Sequence, residues 1–101
     1  MVIITKGAIH EFVVKHPRSA IPLNDWFEKA VHASWKNFKE VKSTFNTVDF
    51  IGEDRYVFDI GGNNFRLIAM IHFNIRTLYI RAILTHNEYD ILSRAKKLTG
   101  L

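Results

Sequence analysis

At 101 residues the chain is long enough for one domain with a modest core and too short for two. Residues 1–101 are therefore expected to form a single unit. Apolar residues (48%) and charged residues (24%) stand in the balance of an ordinary soluble globular protein, and the absence of cysteine excludes disulfides and thiolate metal sites. A formal net charge of +4 and a pI near 9.6 fit a polyanionic partner such as RNA, DNA or an acidic protein.

The opening MVIITKGAIHEF lacks the apolar core and cleavage site of a signal peptide. No apolar stretch approaches the roughly 18–20 residues that a membrane span needs. The expected location is cytoplasmic, with no membrane contact.

Val2-Ile3-Ile4 is a short β-branched run that reads as a strand buried on both faces. Thr5 can cap a following helix, in which Ala8, Ile9, Phe12 and Val13 keep helical spacing and leave Lys6, Glu11 and Lys15 outside. His16-Pro17 ends it, because a residue before proline avoids the α region. Ser19 is an N-cap for a second helix, with Pro22 tolerated in the first turn. Leu23, Trp26, Phe27, Ala30 and Val31 form its apolar stripe. The two helices are expected as a hairpin, with Trp35 and Phe38 completing their core.

Lys36 to Asp54 is the least regular part. Lys36, Lys39 and Lys42 stand at i, i+3 and i+6, either as one cationic side of a helical turn or as a solvated face. Val48–Ile51 can form a strand that turns at Gly52-Glu53-Asp54.

Three antiparallel strands follow: Arg55–Ile60, Phe65–Phe73 and Leu78–Leu84. Gly61-Gly62-Asn63-Asn64 supplies the first turn, since Gly and Asn tolerate positive φ. With two four-residue connections, Ile60 opposes Phe65 and Phe73 opposes Leu78. One face is then wholly apolar: Tyr56, Phe58, Ile60, Phe65, Leu67, Ala69, Ile71, Phe73, Leu78, Ile80, Ala82 and Leu84. The other is mixed and open, with Arg55, Val57, Asp59, Arg66, Ile68, Met70, His72, Tyr79, Arg81, Ile83 and Thr85. Arg66 opposes Asp59 and can be an ordinary cross-strand ion pair or part of an anion site. Thr85-His86-Asn87-Glu88 matches a capping box, opening a last helix over about Asn87–Lys97 with Ile91, Ala95 and Leu98 as its apolar stripe.

The fold class is α+β: an N-terminal strand and a two-helix hairpin on one face of a mainly antiparallel sheet, then a short C-terminal helix. Phosphate-loop, dinucleotide and His-Glu-x-x-His motifs are absent, and the five histidines are scattered. No metal and no cofactor is expected.

Val57-Phe58-Asp59-Ile60-Gly61-Gly62-Asn63, Phe65-Arg66-Leu67 and Thr85-His86-x-Glu88-Tyr89-Asp90 resemble the HigB host-inhibition toxins of bacterial type II toxin–antitoxin systems, within the RelE-like group. The resemblance covers nearly the whole chain and implies the RelE-like fold. It implies a metal-independent endoribonuclease that cleaves mRNA during translation on the ribosome. It also implies a cognate helix-turn-helix antitoxin, HigA-like, through which operator DNA is contacted indirectly. Such chemistry uses the substrate 2′-OH as nucleophile and needs a base, an acid and cations for the phosphorane. Arg66 is then the residue on the scissile phosphate, and Arg81 assists. His86 and Tyr89 are the acid/base candidates, with His72 behind them. Lys36, Lys39, Lys42 and Arg55 are contacts to RNA backbone. For His86 the plainer role is a hydrogen bond at the helix start. The other reading of the whole is a degenerate, non-catalytic module that binds RNA or protein and acts only through its antitoxin complex.

Overall fold

A computed structural model describes residues 1–101. Strand β1 (Val2–Ile4) leads into α1 (Gly7–Lys15) and, through a 3-10 turn at Pro17–Ser19, into α2 (Ala20–Val31). Helix α3 (Phe38–Thr44) precedes strands β2 (Asp49–Gly52), β3 (Arg55–Ile60), β4 (Phe65–His72) and β5 (Thr77–Thr85). Helix α4 (His86–Arg94) and a last 3-10 turn at Leu98–Gly100 close the chain. The five strands lie in the order β1-β5-β4-β3-β2. Only the β1–β5 pair is parallel. The expected α+β architecture is the one observed.

One sheet face carries the main core. Tyr56, Phe58, Ile60, Leu67, Ala69, Ile71, Leu78 and Ile80 pack there under Leu23, Trp26 and Ala30 of α2. Trp35 is buried as expected, and its indole N–H donates to the Thr44 hydroxyl at 2.9 Å. In the segment that looked irregular, Asn37 caps α3 by accepting from the Glu40 amide at 3.1 Å.

Several local expectations are corrected. Strand β1 lies at the sheet edge, and Val2 is 56% exposed, because its one strand partner is β5. Thr5 has φ 69° and does not cap α1; Lys6 occupies that place without a side-chain hydrogen bond. Ser19 does hold the N-cap position of α2, but its hydroxyl donates to the His16 carbonyl at 2.6 Å, so it makes no side-chain cap.

The β3–β4 register is the expected one, Ile60 opposite Phe65 and Asp59 opposite Arg66. The β4–β5 register is not. Strand β4 ends at His72 opposite Thr77, and the turn between them contains left-handed Arg76. Further along, Ala69 opposes Ile80 while Ile68 opposes Ala82, leaving Arg81 as a bulged residue with no partner. Beyond that bulge the strand changes faces. Ile83 joins the main core, whereas Ala82 and Leu84 move to the opposite face.

That opposite face is also less open than expected. Helix α4 stops at Arg94 in a Schellman-type end: Lys97 N–H reaches the Leu92 carbonyl and Lys96 N–H the Ser93 carbonyl. Lys96 takes the left-handed position at φ 57°. The chain then doubles back, and Leu98 is buried on Val57 and Ile68, flanked by Ala82, Leu84, Leu92 and Leu101. Ile91 points to solvent instead of joining this cluster.

Candidate active site

The site sits where the β3–β4 turn meets the start of α4. Gly61 and Gly62 both have positive φ (62° and 69°), which lets four residues reverse the chain. A Cβ on Gly61 would meet Pro22 Cγ at 3.4 Å, so the turn rests closely on α2. On its other side the Asn64 carbonyl accepts the His86 amide at 3.0 Å. Thr85 and Glu88 complete the capping box in both directions, at 3.2 and 2.9 Å. These contacts fix His86 and Tyr89 on the first turn of α4.

Arg66 Nε lies 3.2 Å from Asp59 Oδ1, with the arginine side chain 12% and the aspartate 31% exposed. Its Nη1 donates to its own neighbour's carbonyl, Phe65 O, at 3.3 Å. The guanidinium carbon stands 5.1 Å from the centroid of the Tyr89 ring. His86 Nε2 lies 3.2 Å from Asp90 Oδ2. Burial pushes the Tyr89 phenol above its ordinary range. The Arg66 charge opposes that shift, while Asp49, Asp59 and Asp90 add to it. Tyr89 therefore keeps its proton through neutral pH and can donate it.

The other predicted residues are dispersed. Arg81, at the bulge, is exposed, and its Nε donates to the Leu101 carbonyl at 2.6 Å. It lies three residues, about 10 Å along an extended strand, from Leu84, which opposes Arg66. Arg55 begins β3 opposite Met70, at the other end of the sheet from the β3–β4 turn. Its Nη1 donates to the Glu53 carbonyl, and its buried Nε has no partner. Lys36 and Lys39 are exposed around α3. Lys42 instead donates to the Val48 carbonyl at 3.2 Å and stands 5.9 Å from the Phe38 ring centroid. His72 pairs loosely with Asp54 at 3.9 Å and is also remote from the turn. Arg66 and Tyr89 are thus brought together, with His86 three residues before Tyr89 on α4; Arg81, Arg55 and the lysines are not in contact with them.

A family model described as HigB_toxin, RelE-like toxic component of a toxin-antitoxin system, matches residues 19–92. The chain belongs to the HigB toxin family. The mRNA interferase toxin HigB of Escherichia coli (strain K12) is 29% identical, over 99% of this chain and 98% of the relative. The mRNA interferase HigB of Escherichia coli O6:H1 is 33% identical over 93% of each.

In this HigB-family chain the structure adds residues that the sequence reading passed over. Asp90 holds His86, and Asp49 lies near enough to Tyr89 to act on its charge. Ser93, Lys96 and Thr99 line a depression of about 280 Å³ together with Ile51, Tyr89 and Leu98. The spacing of His86 and Asp90, i and i+4 on a helix, was the available signal for the first pair. Nothing in the sequence announces the depression, which depends on the chain reversing at Lys96.

Proposed function

We propose that this HigB-family toxin is a metal-independent endoribonuclease that cleaves mRNA during translation on the ribosome, in the cytoplasm, and is silenced by a HigA-like helix-turn-helix antitoxin. Family membership and the mRNA interferase names of its relatives support the reaction class. The observation that carries the site assignment is Arg66 lying under the Tyr89 ring, on the turn that also holds His86.

The substrate's 2′-oxygen attacks the adjacent phosphorus and the bond to the 5′-oxygen breaks. A 2′,3′-cyclic phosphate and a 5′-hydroxyl result. Asp90 engages His86 through Nε2, leaving Nδ1 to accept the 2′-proton. Tyr89, which holds its proton, returns one to the departing 5′-oxygen. Arg66 offers a permanent cation to the phosphorane oxygens, while Asp59 orients the guanidinium. Asp49, Asp59 and Asp90 outnumber Arg66 here, so further cations must meet the RNA. Arg81, about 10 Å along β5 from the residue opposite Arg66, assists from outside the site. Lys36, Lys39 and Arg55 contact the backbone farther out, with Lys42 the least available because Val48 engages it.

A second reading has one observation in its favour: Arg66 is largely buried in a pair with Asp59, as a purely structural arginine would be. Inducible expression in a bacterium, with growth and mRNA 5′ ends followed over minutes, separates the two. Arrest with new in-frame cuts, lost in a soluble Arg66→Ala variant, is the expected result. Intact mRNA with soluble wild-type protein, or full cleavage by Arg66→Ala, would overturn the assignment.

A further inference from the structure

Three depressions mark the surface. The largest, about 310 Å³, lies between α1 and α2 and is lined by Lys6, Ile9, His10, Val13, Asn24 and Phe27. A second lies between α1 and Ile83. Both belong to the helical layer. The third is the one that shares a residue with the proposed active site, because Tyr89 forms its wall and also covers Arg66.

We infer that this third depression is the subsite for the one nucleotide next to the cleaved bond, taking its base in the hollow and its outer phosphate on Lys96. The inference rests on the proposed ribonuclease reading and adds where the substrate's neighbouring base goes. Its lining is what a nucleobase needs: an aromatic ring for stacking in Tyr89, flat apolar support from Ile51 and Leu98, and hydroxyls of Ser93 and Thr99 that donate to or accept from a base edge.

Size restricts the occupant. The volume falls just below the roughly 300–1,000 Å³ of pockets that enclose drug-sized ligands, which is room for a nucleobase. Charge agrees as well. Lys96 is exposed on the rim in its left-handed position, with Arg94 and Lys97 beside it in the chain. These cations suit the phosphate that accompanies a nucleobase. The hollow exists only because α4 stops at Arg94 and Leu98 returns to the sheet, so its floor belongs to the folded core and is preformed.

The test uses nucleoside 3′-monophosphates of the four bases and inorganic phosphate alone. Each is titrated into the full chain carrying Arg66→Lys, with backbone amide shifts recorded by NMR and the wild type run in parallel. The expected result is saturable, base-dependent shifts at Ser93, Lys96 and Thr99, lost in Thr99→Trp, which fills the hollow. A second filling variant, Ser93→Phe, serves if Thr99→Trp fails to fold. Shifts confined to the α1–α2 depression would overturn the inference. So would equal shifts from inorganic phosphate, which would reduce Lys96 to an anion site. These probes carry no scissile bond, so the outcome is independent of whether the chain cuts RNA.

Discussion

The guanidinium of Arg66 and the ring of Tyr89 face each other at 5.1 Å, although one comes from the middle of the sheet and the other from the helix that follows it. The contact makes each residue depend on the other. Tyr89 shields the arginine from water, and the arginine moderates the rise in the phenol's pKa. Removing only the hydroxyl, in Tyr89→Phe, preserves that packing. It should lower the cleavage rate by about 100-fold or more, the usual effect of losing a positioned proton donor, with the melting temperature nearly unchanged. Single-turnover cleavage of a short RNA beside thermal unfolding checks this.

The same phenol gives a pH signature. Its folded value is raised above the ordinary value of 10.0, so above pH 10 the unfolded chain releases the proton before the native one does. The stabilisation is complete below pH 10 and is lost as pH climbs through the folded value. Tyr56, raised first by burial and then by Asp54, acts in the same direction. Urea unfolding between pH 8 and 11 should show stability falling at the alkaline end. Tyr89→Phe should flatten the fall in part, and a Tyr89→Phe/Tyr56→Phe double variant should flatten it further.

Asp59→Ala leaves a mostly buried guanidinium without its carboxylate. The expected loss is about 1–3 kcal/mol, below that of a fully buried pair because Asp59 is partly exposed. Adding Arg66→Ala should cost less than the sum of the two single changes. A double-mutant cycle in urea measures this directly, and strict additivity would show that the pair contributes no coupling.

Leu98→Ala uncovers Val57 and Ile68 and should cost roughly 2–4 kcal/mol, as truncation of a buried leucine does. Thr85→Ala removes half the capping box, for about 1 kcal/mol. The two should differ in function. Thr85→Ala loosens the turn that holds His86 and Tyr89 and should reduce cleavage by more than its small stability loss implies. Equal ratios of activity to folded protein in both variants would contradict this.

What could be read from residues alone depended on whether the pattern had one solution. Between β3 and β4, strict alternation and a Gly-Gly-Asn-Asn turn admit one register, and Asp59 duly opposes Arg66. Past Arg81 both Ile83 and Leu84 are apolar, so the sequence satisfies either face and conceals the bulge. Lys96 conceals the end of α4 in the same way, because a glycine there would have signalled the left-handed residue. The β-branched run at Val2–Ile4 announces a strand, but its place at the edge is decided by which strand it meets. The meeting of Arg66 with Tyr89 required knowing how α4 lies on the sheet, which no local pattern specifies.

Strand β1 pairs in parallel with β5, more than 70 residues along the chain: Val2 is set beside Thr77 and Ile4 beside Tyr79. Closing so long a loop is entropically costly and must wait for the partner to exist. His86 and Tyr89 follow β5 directly, so the candidate groups are joined to the very strand that closes this long loop.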